Sequence, residues 1–403
     1  MVMDIPLLMG QILAFCCIAL GGILIQRVTQ LDITLASLLS GVIAGLLIPW
    51  LGLDIGLRAN DVHDLVFYIL LPLLIFIASW HINPVILRRW LAPSLILASV
   101  GVLISAGIMT VGIYFGIGHA TGFPWIAALL TGAILSATDP IAVVAKLHQL
   151  KAPEDLSTLF EGESLFNDAT AVVLFSVVLL IAQGKASPES ISVYFVGIFF
   201  GGIAVGLVCG LLAALAVSYI RQSSASTIIF LVGAFGSFYI AEHLVHVSGI
   251  MSVMVTAVFA RSRLKEKDQP YLEGIGLTWN WLELFLNALL FSLMGLVITF
   301  EMFQEQWLAM IIAIAVASVS RFASVYICTA LSHLTTQPIS AKWALILSWG
   351  GLRGGIAIAL ALSLPITLDY WWTIQSMVFA VVLFTLLVQG TTTGRLIGKL
   401  GVH

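Results

Sequence analysis

About thirteen apolar stretches follow one another along this chain, each near the ~20 residues that a bilayer demands of a spanning helix, with short connections between them. They fall near 6–26, 33–50, 62–80, 91–117, 125–147, 156–183, 190–220, 226–245, 249–261, 276–300, 307–332, 341–364 and 371–392. Inside hydrocarbon each backbone N–H and C=O must be satisfied within the protein, so such spans fold as helices. Only 9% of the 403 residues are charged, against roughly 25% in a soluble domain. The fold class is therefore an all-α polytopic membrane protein, with 1–403 read as a single transmembrane domain. The opening Met1-Val2-Met3-Asp4 lacks the basic residues of a signal peptide and reads as the start of the first span. The ninth stretch is short, so it reads as tilted or partly re-entrant.

Basic residues orient the spans. Of the 17 Lys and Arg, Arg58 and Lys185 follow even-numbered spans, Arg321 and Arg353 fall inside spans, and the others, from Arg27 and Arg88 to Arg263, Lys265, Lys267 and Lys399, follow odd-numbered ones. Positive residues are retained on the cytoplasmic side. This predicts a multi-pass protein of the plasma (inner) membrane, surrounded by lipid, with its N-terminus outside and its C-terminus inside. No basic run suggests nucleic acid. Cys16, Cys17, Cys209 and Cys328 lie in apolar stretches, fit no metal spacing and read as packing residues. His243 and His246 have no third ligand nearby in sequence. His81 and His148 read as solvated tips, with pH sensing as the alternative.

The charges inside spans carry more information. A charge at the bilayer centre costs about 2.5–3.5 kcal/mol on insertion scales, so it needs a partner or a function. The candidates are Asp139, Glu163, Asp168, Arg321 and Arg353, with Glu242 and Glu283 nearer span ends. Buried pairs that only fix helix positions are an open alternative for Glu163, Arg321 and Arg353. Asp168 has no cation in its flanks, Asn167 and Ala169–Phe175, and reads as functional.

Two spans contain helix breakers at depth. Ser136-Ala137-Thr138-Asp139-Pro140 puts a proline in the middle of the fifth, where its missing N–H and its ring free preceding carbonyls. Gly350-Gly351-Leu352-Arg353-Gly354-Gly355 is too rich in glycine for an uninterrupted twelfth helix. The two spans are an odd number apart and so cross in opposite directions, the pattern of inverted repeats whose broken helices meet near the midplane. Half-helix ends there present dipoles that Asp139 and Arg353 can neutralise.

Thr138-Asp139-Pro140, the run Phe160-Glu161-Gly162-Glu163-Ser164-Leu165-Phe166-Asn167-Asp168-Ala169-Thr170-Ala171, and Gly350-Gly351-Leu352-Arg353-Gly354 together resemble the monovalent cation:proton antiporter-1 family. These are the sodium/proton antiporters of the NhaP and NHE kind. The similarity extends to Trp281-Leu282-Glu283 with Asn287 and to Arg321. It implies thirteen helices in two bundles: a mobile core over roughly 91–183 and 307–392, and a dimerisation scaffold over roughly 1–90 and 190–300. It further implies a homodimer with elevator-like movement, no cofactor, and a secondary transporter, not an enzyme. By the family pattern Asp168 alternately holds the cation and the proton. Thr138, through its carbonyl, and Ser164 resemble the other Na⁺ ligands, and Asp139 stands behind them, acting through water. Asn167 marks the electroneutral branch, Glu163 and Arg321 resemble a core ion pair, and Arg353 resembles the charge that steadies the helix crossing.

Spacing supports part of this independently. Ser164 and Asp168 are four apart and share a helix face. A hydroxyl beside a carboxylate is a hard oxygen cluster suited to Na⁺ or Li⁺, with K⁺ as a further candidate. One departure is visible. Many prokaryotic members carry an acid after the Leu/Pro-rich stretch of the third span, and here Leu71-Pro72-Leu73-Leu74-Ile75-Phe76 is followed by Ile77.

Two other classes also place carboxylates or ion pathways inside a membrane. An intramembrane aspartyl protease would use Asp139 and Asp168 as a proton-sharing pair, but the chain has no Gly-x-Gly-Asp motif and that chemistry needs no intramembrane arginines. A cation channel needs a filter of carbonyls or charge rings, and neither is evident in the sequence.

Overall fold

The computed structural model describes residues 5–29, 31–50, 64–81, 84–117, 123–185, 191–264 and 269–402. The opening Met1–Asp4 and the basic positions Arg58, Lys265 and Lys267 lie outside the described residues.

Helices occupy every stretch read as a span. In order they are α1 Ile5–Thr29, α2 Ile33–Trp50, α3 Val66–His81, α4 over 84–116, α5 Trp125–Ile134, α6 Ile141–Gln149, α7 Glu154–Ala182 and α8 Ile191–Ile220. Then come α9 Ser223–Val245, α10 Gly249–Arg263, α11 Gln269–Val297, α12 Phe300–Glu305, α13 Trp307–Ser332, α14 Ala341–Trp349, α15 Gly355–Leu362 and α16 Trp371–Leu400. Among the described residues, eight helices are long and apolar enough to cross a membrane. The two expected interruptions separate α5 from α6 and α14 from α15.

Some boundaries differ from expectation, for identifiable reasons. Pro84 opens α4, a position where its missing N–H has no helical partner to lose. Pro93 then lies inside the helix, which continues through a π-wound turn at Leu97–Gly101. Arg88 and Arg89 are thus helical, and the boundary drawn at 90/91 between the two bundles falls inside α4. Asp155 holds this end of α4 to α7, accepting from the Trp90 indole at 3.0 Å and pairing with Arg89 at 3.5 Å. At the other end of the chain α16 runs past 392 to Leu400 through a second π-wound turn, Thr385–Gly390.

The packing has a clear centre. In α7 67% of the most apolar window is buried, against 24% in α1 and 28% in α8 and α9. Around α7 gather α4, α5, α6, α8 and α10, while α1 and α2 pack on α11, and α8 and α9 on α10. The outer helices turn large apolar side chains such as Val28, Val193 and Tyr219 outward, as lipid contact requires. The α8–α10 contact is close: a Cβ on Gly206 would stand 2.6 Å from the Ser252 carbonyl oxygen. Small residues permit such approach where no hydrophobic force drives helices together.

Candidate functional site

The two interruptions meet beside α7. Asp139 N–H donates to the Leu352 carbonyl at 2.8 Å, forming an antiparallel bridge between the non-helical stretches. Four half-helix ends converge there. Those of α6 and α15 are N-terminal, with unpaired amides and a positive dipole end; those of α5 and α14 are C-terminal.

Each charge sits at the end that suits it. The Asp139 carboxylate accepts from Ile141 N–H at 2.9 Å and from the Gly355 amide, so it serves the first turns of both α6 and α15. A Cβ on Gly354 would overlap this carboxylate, which accounts for glycine at that position. Arg353 is fully buried and donates from Nη1 to the Ala137 carbonyl at 2.9 Å, just beyond α5, while its own amide donates to Thr385 Oγ1 at 3.1 Å.

One face of α7 is closed by an ion pair. Arg321 on α13 binds Glu163 through two parallel bonds, Nη1 to Oε1 at 2.7 Å and Nη2 to Oε2 at 2.9 Å. The same guanidinium donates to the Leu347 carbonyl at the end of α14, at 3.0 Å from Nη2 and 3.3 Å from Nε. Asn167 Nδ2 donates to Thr138 Oγ1 at 3.0 Å and to Glu163 Oε1 at 3.3 Å. A buried pair persists only where geometry and extra hydrogen bonds offset desolvation, and these contacts supply both.

The neighbouring face is open. Ser164 Oγ donates to the Thr138 carbonyl at 2.5 Å and lies 3.4 Å from Asp168 Oδ2. The Thr138 amide also reaches the Asp168 carboxylate. Asp168 Oδ1 and Asn167 Oδ1 are buried without a hydrogen-bond partner. Buried acceptors are rarely left so. Asp168, Ser164, Thr138 and Asp139 line a cavity of about 800 Å³ between α7, the two interruptions, α3 and α11.

All eight residues singled out in the sequence therefore lie in one connected region: Thr138, Asp139, Glu163, Ser164, Asn167, Asp168, Arg321 and Arg353. Asp139 and Asp168 are engaged by separate donors, as two separate carboxylates. Ile77 is placed otherwise. It is fully buried in the apolar core, and α3 lines the cavity with Leu74, Ala78 and His81 instead. Sequence reasoning assigned no site role to Glu161 or Asn280, and named His148, Glu283 and Asn287 without placing them on this cavity, which all five line. Glu161 was within reach, standing three residues before Ser164 and seven before Asp168 on the same helical face. Among the described residues no group of three or more His, Cys, Asp or Glu could hold a metal ion.

The profile of the family described as sodium/hydrogen exchanger, transmembrane, matches residues 12–399. The chain belongs to that family. It is 35% identical over 400 residues to the Na(+)/H(+) antiporter ApNhaP of Aphanothece halophytica, covering 97% of this chain and 75% of that protein. With the Na(+)/H(+) antiporter NhaP of Pseudomonas aeruginosa it shares 32% identity, over 85% of this chain and 83% of the relative. Its fold matches that of the sodium proton antiporter MjNhaP1 from Methanocaldococcus jannaschii with a TM-score of 0.83, covering 98% of this chain and 100% of that one at 21% identity. As a sodium/hydrogen exchanger family member the chain is a multi-pass membrane transporter and not an enzyme.

Proposed function

We propose that this protein exchanges Na⁺ or Li⁺, with K⁺ as a further candidate, for H⁺, one for one, by alternating access. The observation that carries this reading is the buried, unpartnered Asp168 Oδ1 beside the Ser164 hydroxyl and the Thr138 carbonyl, at the edge of a cavity. These are hard oxygen ligands suited to a small alkali cation. A proton neutralises the same carboxylate, so cation and proton compete for one group. The Ser164–Thr138 hydrogen bond closes the ligand set when the cation is absent, and both oxygens turn to the ion when it binds.

Charge bookkeeping supports electroneutral coupling. Arg321 offsets Glu163, and two helix N-termini offset Asp139. Arg353 is held on the Ala137 carbonyl, and Asp168 is left as the acid without an ion-pair partner among the described residues. An uncompensated charge crosses hydrocarbon unfavourably, so the site moves when loaded with one cation or one proton and is held when empty. The cavity extends to His81 and His148, at helix ends that the basic-residue bias assigns to the cytoplasm, which supports an inward-facing arrangement with the N-terminus outside. In the same reading the helices around α7 form the moving bundle, and the outer helices form the scaffold of a homodimer that contributes to pH homeostasis.

The test is proton flux in proteoliposomes, read by fluorescence dequenching across the alkali cations and a range of pH, with and without a potential set by potassium and valinomycin. Cation-dependent flux that ignores the potential is expected. A flux driven strongly by the potential would rule out the one-for-one model.

A further inference from the structure

The cavity has two walls of different parentage, and the exchange site lies on only one. The α7 and interruption wall carries Asp168, Ser164, Thr138 and Asp139, with Glu161 and His148 nearer one end. The other wall is built by α3 and α11. On α11, Asn280, Glu283 and Asn287 are spaced by three and four, so all three present to the cavity from one face. Glu283 is the one carboxylate among the lining residues of that wall in the described structure. Its contact is with His81 Nε2 at 3.5 Å. A histidine is a counter-ion only while protonated, so this pairing is conditional. The other carboxyl groups facing the same space are Asp139, Asp168 and Glu161, with His148 as a further titratable group, and Asp32 and Arg353 in the adjoining cavity. Arg261, the arginine near this end, lies 5.6 Å over the Trp80 ring and interacts with Glu161.

A buried salt bridge that merely fixes α3 to α11 would be expected to seal its carboxylate. Glu283 instead keeps 24% of its side-chain surface exposed, and two carboxamides flank it on the cavity face. Carboxamide oxygens and a carboxylate can take over part of an alkali ion's water shell without fully dehydrating it. We propose that Glu283 is a cation-recruiting residue: with Asn280 and Asn287 it holds a partly hydrated monovalent cation before the ion reaches Asp168, and protonated His81 competes with the ion for it. This rests on the exchange reading above and adds to it a determinant of apparent affinity on the wall that does not carry Asp168.

The test separates KM from kcat for Na⁺-dependent proton flux in proteoliposomes over a pH series from mildly acidic to alkaline, using wild type, Glu283→Gln, Glu283→Asp, His81→Gln and Asp168→Asn. Glu283→Gln should raise the Na⁺ KM about tenfold, or 1.4 kcal/mol, with kcat within about twofold, and Glu283→Asp should recover most of the loss. His81→Gln should lower KM at the acidic end of the series, leave it unchanged at the alkaline end, and so flatten its rise on acidification. An unchanged KM in folded Glu283→Gln, or a fall in kcat at constant KM, would overturn the proposal. If Glu283→Gln does not fold, an unchanged KM and pH profile in His81→Gln overturns it. Active Asp168→Asn, or a wild type without exchange, would instead strike the underlying function.

Discussion

Two faces of α7 carry carboxylates only five residues apart, and they have opposite fates. Glu163 and Asp168 stand roughly 140° apart around the helix. Glu163 is bound twice by Arg321 and shares Asn167 and Thr138 as further neighbours. Asp168 has the Thr138 amide, a weak approach from Ser164 and one oxygen with no partner. Both are buried. Burial alone therefore does not mark the transporting acid; the state of its partners does. A saturated carboxylate holds α7, α13 and α14 in register, and an unsaturated one is left to bind what arrives through the cavity.

The most severe way to break this contrast is Asp168→Asn. An amide can neither release a proton nor bind a cation as strongly, so exchange should fall to the level of empty liposomes while the purified protein elutes and melts like wild type. Robust exchange by that variant would mean that another group carries the ion. The next effect is on stability. Glu163→Ala strands a buried guanidinium, and breaking such a pair costs about 3–5 kcal/mol. Thermal unfolding in detergent should show a large drop, partly recovered in Glu163→Gln combined with Arg321→Gln. A melting temperature equal to wild type would remove the distinction between a sealed and an open face. The smallest expected change is in cation preference on Ile77→Glu. Ile77 packs against the core and away from the cavity, so the variant should lose at least roughly 1–3 kcal/mol of stability and keep its order of alkali cations. A changed order would show that this face of α3 turns toward the site.

Much of this was legible in the residues. Long apolar runs announced the helices, Pro140 and the Gly350–Gly355 run announced the interruptions, and charges inside spans announced the ion pair and the open acid. What stayed hidden follows from physics of the same kind. In Leu71–Ile77 every residue is apolar, so periodicity cannot say which face meets the cavity, and the family comparison alone suggested Ile77. Arg88 and Arg89 looked like loop because charges usually end spans, yet Asp155 and the proline at Pro84 let α4 begin before them. Glu283 was noticed but left aside, because proximity to a span end is also where solvated carboxylates belong. Only the convergence of α3 and α11 on the same cavity distinguishes it.

The bond from the Asp139 amide to the Leu352 carbonyl joins positions 213 residues apart (352 − 139). During synthesis the first interruption emerges with its amide unmatched, and its partner is made only after most of the remaining chain. Domains and bundles assemble as their parts become available, so the first broken helix must wait, half-finished, until the second has been inserted. A chain cut before Leu352 would carry Asp168, Ser164 and Thr138 and still lack the bridge and the Arg353 contact that hold them in place. The site is thus completed late in biogenesis, and defects in the final third of the chain should be felt first as failure to mature.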